Sequence, residues 1–172
     1  MDDATYIIEL MKTEREALGF IPSTSIRSYW MKHGYYVLQV DLHGRRRGYI
    51  LHGPPRPGRQ LKIYQACIDY DYRLRGFGYS AVRTVQQRAI HAGATAITLR
   101  CAADLNANEF WMQCGFTPIR TEPGGTKRKR LIVTYRQTLT HTESQNKKAA
   151  VLEPHSNPIS VCLGCPIAIG YQ

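Results

Sequence analysis

Residues 73–80 read RLRGFGYS, and the reading of this octapeptide decides the fold. The strand-forming run LKIYQACIDY (61–70) delivers the chain to it, and a helical run leaves it. A glycine-rich turn between a strand and a helix points several main-chain N–H groups outward at the positive end of the helix dipole. That is an anion site built from backbone. Gly76 and Gly78 allow a diphosphate to approach the main chain closely, and Arg73 and Arg75 add charge. No Gly-Lys-Ser/Thr follows, so this is not a nucleotide-hydrolase phosphate loop. Nor is it the dinucleotide fingerprint, which needs three glycines as G-x-G-x-x-G. On spacing alone, a turn that merely redirects the chain stays open as the alternative.

Working outward, Ile7, Ile8, Leu10, Met11 and Leu18 recur at near-helical spacing and predict a first helix ending at Gly19. Pro22 and a Ser/Thr cluster open a second helix, which runs to Gly34. YYVLQVDL (35–42) alternates Tyr36, Leu38, Val40 and Leu42 on one face, as a half-buried strand does. HGRRRG (43–48) turns it into the returning strand YILHG (49–53), and the proline-rich PPRPGRQ (54–60) cannot join a sheet interior. Past the octapeptide, Val82, Val85, Ala89 and Ile90 line one face of a helix running from Ser80. TAITLRC (95–101) is a strand. Asp104 then caps a short helix that buries Ala107, Trp111 and Cys114 and ends at Gly115. TPIRT (117–121) and RLIVTYRQTL (130–139) are the last strands, with a basic turn, EPGGTKRKR (122–130), between them. This order predicts an α/β fold with a mixed, mostly antiparallel central sheet and flanking helices, not a doubly wound one. It occupies residues 1–139. Residues 140–172 form a polar C-terminal tail that turns apolar at its end.

A chain of 172 residues with 43% hydrophobic residues suits one domain with a real core. Its net charge of +10 points to an anionic partner: nucleic acid, acidic protein or a phosphorylated cofactor. The start carries acidic residues where a signal peptide carries basic ones, and no run approaches the roughly 18 apolar residues that cross a bilayer. A cytoplasmic protein without membrane contact is expected. Five cysteines, an odd number without a dense framework, fit a reducing compartment. Cys162 and Cys165 have half of a zinc-site spacing, and His141 and His155 could complete it. A second well-spaced pair is missing, so no metal is expected. The runs Arg45 to Arg47 and Lys127 to Arg130 sit in turns, where charge keeps sheet edges soluble. They are also the candidate contacts for nucleic acid.

The stretch from Ile68 to Phe116 resembles the core of the GNAT superfamily of N-acetyltransferases, with the likeness reaching back to about Leu61. Arg73, Gly76 and Gly78 match the superfamily's Q/R-x-x-G-x-G/A turn, and FWMQCGF is similar to its final aromatic-x-x-x-G-F signature. The resemblance implies an acyl-CoA-dependent N-acyltransferase whose co-substrate is acetyl-CoA. Its pyrophosphate would rest on Arg73, Leu74, Arg75, Gly76, Phe77, Gly78 and Tyr79. The pantetheine arm would pair with a splayed strand end around Ile68 to Tyr70, and Asn108 and Trp111 would complete the cofactor site. Direct attack by an amine on the thioester is the implied chemistry, with a small molecule, peptide or nucleic acid as acceptor. The runner-up is a non-catalytic module of the same fold that binds nucleic acid or protein through its basic turns.

The departures from the superfamily pattern bear on catalysis. Trp111 stands where a tyrosine often protonates the leaving thiolate, and an indole N–H donates without giving up its proton. Gln65 stands where several members carry a glutamate base, and Asp104 where an asparagine is frequent. Asp104, acting through water, is the candidate base, with helix capping as its alternative role. Tyr64 and Tyr70 are candidate phenols in place of the missing acid, although strand tyrosines commonly pack. Tyr29 and Trp30, in the aromatic run SYWMKHGYY (28–36), lie where the fold resembled builds its acceptor pocket.

Overall fold

In the computed structural model, which describes residues 1–124, 130–140 and 168–169, six strands form one sheet in the order β1-β2-β3-β4-β6-β5. They are β1 (Tyr36–Val40), β2 (Arg46–His52), β3 (Gln60–Ile68), β4 (Ala96–Ala102), β5 (Thr117–Pro123) and β6 (Leu131–Thr138). Two helices precede the sheet: α1 (Asp3–Thr13), and α2, which begins at Ser23–Ser25 and continues as π-helical turns over Ile26–Met31. The crossover α3 (Phe77–His91) joins β3 to β4, and α4 (Ala107–Gln113) joins β4 to β5. Only the β3–β4 pairing within this order is parallel. The mixed, mostly antiparallel α/β sheet is therefore as expected. A two-residue β7 (Ala168–Ile169) pairs antiparallel with β3.

The sheet carries a core on each face. Ala81, Val82, Val85 and Ala89 of α3 and Trp111 of α4 pack with Ile50, Ile63 and Leu99 on one side. Ile7, Ile8 and Met11 of α1 and Ile26 and Trp30 of α2 pack with Tyr49, Leu51 and Cys67 on the other.

Four local expectations are corrected. Helix α1 stops at Thr13 rather than Gly19. Leu18 stays buried, but as a loop residue filling the second core, because apolar spacing records burial and not helical hydrogen bonding. In β1 the buried residues are Val37 and Gln39, whereas Val40 and Leu42 are exposed beside the β1–β2 turn. Helix α3 begins at Phe77, ahead of Ser80, and Ile90 lies off its buried face. Asp104 does not cap α4: Asn106 holds that position and no side chain takes a helix amide there. Cys67, Cys101 and Cys114 are buried free thiols. Lys127, Arg128, Lys129, His141, His155, Cys162 and Cys165 lie outside the described residues. Among the described residues no helix is long and apolar enough to cross a membrane.

One irregularity positions everything that follows. β3 pairs with β4 only from Gln60 to Lys62. Beyond that point β4 runs on beside β6 to Ala102, and β3 runs on beside β2 to Ile68. The two central strands therefore part company. At the parting, β2 pairs Leu51 with Gln65 but His52 with Ile63, so Tyr64 is an extra residue, a β-bulge. The bulge resets the alternation: Leu61 and Ile63 before it, and Ala66 and Ile68 after it, all join the core on the α3 side.

Candidate functional site

The RLRGFGYS turn sits where β3 has lost β4 and α3 begins. Leu74 has φ +66° and Gly76 φ +82°, two left-handed residues flanking Arg75. A leucine in that region is strained by about 1–2 kcal/mol, and such strain gathers at ligand sites. The first helical bond runs from the Ser80 amide to the Gly76 carbonyl. Among the described residues nothing accepts from the amides of residues 74–79. A Cβ on Gly76 would meet nothing within 4 Å, so the space outside these amides is open. Unpaired N–H groups converging at the start of a 15-residue helix make an anion nest.

From Ile63 to Ile68 the edge of β3 that faces the parting is left by β4. β7 lies against part of it, with Ala66 opposite Ile169 and Cys67 opposite Ala168, so this edge accepts an extended chain. On the α3 side, Ala66, Ile68, Gly78, Ala81 and Trp111 line a small apolar recess. Trp111 is fully buried and stands edge-on to Phe110 and Phe116, with ring centroids 5.1 and 5.4 Å away. Its indole N–H has no hydrogen-bond partner among the described residues. An orphaned buried donor costs roughly 1–3 kcal/mol, and an acceptor brought by a ligand would remove that cost.

Residues 5–116 match the model of the acetyltransferase (GNAT) family. The chain belongs to the GNAT acetyltransferase family. No curated protein matches it. Solved GNAT structures share its fold at low identity. Ard1 from Thermoplasma volcanium is 14% identical, with a TM-score of 0.69 over 80% of this chain and 92% of that one. An aminoglycoside 6′-N-acetyltransferase complexed with coenzyme A is 13% identical, with a TM-score of 0.62 over 78% and 89%. The NatC complex bound to Gag peptide and CoA is 15% identical, with a TM-score of 0.66 over 80% and 91%.

On this GNAT frame the remaining residues singled out above fall into place. The Arg73 guanidinium is not turned outward. It pairs with Glu14 and donates from Nε to the Ile68 carbonyl at 3.0 Å, tying the turn to the end of α1 and of β3. Arg75 is exposed, with its guanidinium 5.1 Å from the Tyr72 ring centroid. Tyr70 and Tyr79 are exposed beside the turn. Asn108 faces inward: its amide donates to the Ala102 carbonyl at 2.9 Å and its carbonyl accepts from Tyr135 at 3.0 Å, which holds the β4–α4 corner.

Gln65 donates to the Gly19 carbonyl at 2.6 Å and accepts from the Tyr49 hydroxyl at 3.0 Å. Arg130 donates to the Glu16 carbonyl at 3.0 Å and pairs with Asp104 at 2.8 Å. Residues 14–22 are thus fastened to β3 on one side and to the start of β6 on the other. They bridge the parting on its α1/α2 side, with Phe20 80% exposed. No single residue type in the sequence signals this strap. Its traces are Gln65 on a strand and Leu18 out of helical register.

Arg130 also holds the Asp104 carboxyl below the usual carboxylate range, so this side chain stays ionised and draws protons weakly. Tyr64 is half-buried at the bulge, edge-on to Trp30 at 5.6 Å. Trp30 is buried and donates to the His52 carbonyl at 3.0 Å, whereas Tyr29 is 37% exposed. Burial, with Glu14 nearby, pushes the Cys67 thiol far up, so it supplies no thiolate.

Proposed function

We propose that the protein is an N-acetyltransferase that moves an acetyl group from acetyl-CoA to an amine by direct attack within a ternary complex. The observation that carries this is the parted β3–β4 pair with an open amide nest at its mouth. The amides of residues 74–79 would hold the diphosphate, and Arg75 would add charge beside it. The edge of β3 that β4 leaves would bond the pantetheine amides as a neighbouring strand would, in the place β7 takes in this structure. Acetyl-CoA, when bound, supplies the activated acyl group. Arg73 would act as a brace for the turn through Glu14 rather than as a phosphate contact.

The acceptor would enter from the opposite side, beneath residues 14–22, where Phe20 offers an apolar contact. Its nitrogen bonds to the thioester carbon, the carbon–sulfur bond breaks, and the sulfur leaves with the electron pair. Trp111 would steady the departing sulfur with its N–H, keeping its own proton. Asp104 and Tyr64 stand on opposite arms of the parting. Asp104, a weak base while Arg130 pairs with it, would orient the water that carries the amine's proton away, and the Tyr64 phenol would return one to the sulfur. Small-molecule, peptide and nucleic-acid amines are all acceptors of suitable chemistry.

Incubation with labelled acetyl-CoA and a panel of amines, lysine peptides and nucleic acids tests the proposal. Transfer of label to one class is expected, together with a rise in melting temperature in acetyl-CoA alone. No rise at millimolar acetyl-CoA would overturn it.

A further inference from the structure

The main-chain groups of β3 alternate between its neighbour β2 and the parting that β4 leaves. The Asp69 amide bonds to the Arg47 carbonyl at 2.9 Å, continuing the β2–β3 ladder. Alternation along the strand then turns the amide and carbonyl of Cys67 toward β2, and those of Ala66 and Ile68 into the parting. The Ile68 carbonyl already accepts from Arg73 Nε at 3.0 Å. Ala66 is thus the residue that offers an extended partner both an amide and a carbonyl.

β7 takes that offer. Ile169 lies opposite Ala66 and Ala168 opposite Cys67, in antiparallel register, and β7 also approaches β4 across the parting. Of two such neighbouring pairs one is hydrogen-bonded and the other is not, and the direction of the Ala66 groups makes Ala66–Ile169 the bonded one. A ligand amide and β7 therefore exclude one another at Ala66. The amides of the RLRGFGYS turn, by contrast, stay open among the described residues while β7 is seated. β7 covers one half of the site that acetyl-CoA would use and leaves the other half clear.

We propose that β7 is a built-in competitor of acetyl-CoA: it holds the backbone of Ala66 in the pantetheine stretch of the parting and must leave before the thioester seats. The inference rests on the acetyl-CoA reading of the parting. Belonging to the same chain, β7 meets its edge at a local concentration of roughly millimolar. A pairing of two residues is short enough for the coenzyme to displace, and the open turn lets the coenzyme dock by its diphosphate before β7 departs. The apparent dissociation constant of the coenzyme rises by the inverse of the fraction of molecules whose parting is clear. β7 thereby sets the acetyl-CoA concentration at which the site fills.

Hydrogen exchange followed by NMR and calorimetric titration with CoA, both on the full chain, test it. Ile169→Pro removes the N–H that the Ala66 carbonyl accepts, and should speed exchange of the Ala66 amide at least ~10-fold without ligand. It should also tighten CoA by ~5–10-fold. Ala168→Pro, a second way of breaking the strand, should act in the same direction, and Ile169→Val should match wild type in both measurements. Exchange at Ala66 as fast in wild type as in Ile169→Pro overturns the seat of β7. Faster exchange with unchanged CoA affinity overturns the competition alone. CoA binding to neither protein removes the acetyl-CoA reading and the competition with it, whatever the exchange at Ala66.

Discussion

The two ends of β3 are built in opposite ways. At its beginning, Gln60 to Lys62, the strand is stitched to β4 and has no backbone to spare. What it, the preceding loop and α2 present there are side chains: Arg56, Arg59, Lys62 and the rings of Tyr64 and Tyr29. At its far end β4 has gone, the side chains Ala66, Cys67 and Ile68 are buried, and the groups left to recognise a ligand would be main-chain amides. The change happens within a few residues, at the Tyr64 bulge. A side-chain site tolerates conservative replacement at each position, whereas a backbone site fails as soon as something fills the space in front of it.

The largest expected effect tests that contrast directly. Gly76→Asp puts a carboxylate before the amide nest and should weaken acetyl-CoA at least ~100-fold, about 2.7 kcal/mol, and abolish its thermal shift. Gly76→Ala, whose Cβ meets nothing, should cost only the roughly 1–2 kcal/mol of a left-handed non-glycine residue in stability while keeping the shift. If alanine and aspartate behave alike in calorimetric titration, the far end of β3 is not a backbone site.

Next in size is Trp111→Phe. It removes a donor that lacks a partner among the described residues, so unliganded stability should fall by no more than about 1–2 kcal/mol. Affinity for CoA should fall by ~10-fold relative to desulfo-CoA binding, and equal losses for the two ligands would remove the sulfur contact.

Glu14→Gln touches neither end of β3 yet releases Arg73 from its brace. Half-buried and left without its carboxylate, the guanidinium should cost about 2 kcal/mol of stability. Acetyl-CoA should weaken by ~3–10-fold, measured by titration. Full affinity would mean that the turn holds its shape without α1.

The smallest effect belongs to the beginning of β3. His52 is fully buried, with Nδ1 on the Gly53 carbonyl at 2.8 Å. Burial holds its pKa below 6.5; the Gly53 carbonyl works against this, and the Arg88 guanidinium adds to it. The folded protein therefore binds this proton less readily than the unfolded chain. Stability is unaffected above about pH 6.5 and falls as pH drops through that value toward the lowered one. Melting temperatures from pH 7.5 to 5 should show this decline, and His52→Gln should flatten part of it.

Much of the frame was legible in the residues. The run from LKIYQACIDY through RLRGFGYS to FWMQCGF is locally consistent, strand to glycine turn to helix, because the turn chemistry and the apolar spacing agree there. Legibility failed where burial and backbone geometry diverge. Leu18 continues a helical pattern while the chain has already left the helix, and Leu42 continues a strand pattern into solvent. The site was readable at the turn, where glycines announce themselves. It was not readable at Arg73 and Glu14, 59 residues apart, because a pairing across the fold has no local signature. The same holds for Asp104, whose partner Arg130 arrives from just ahead of β6.

The parting of β3 from β4 lies inside a sheet, walled by α3 on one face and by the 14–22 strap on the other. An outer edge would welcome any passing strand and invite runaway stacking of copies. An interior slit is narrower in its tastes. The extended β7 lies lengthwise in it, and a ligand of that shape would fit the same way. The shape of that slit would then select a ligand before any chemical group is read.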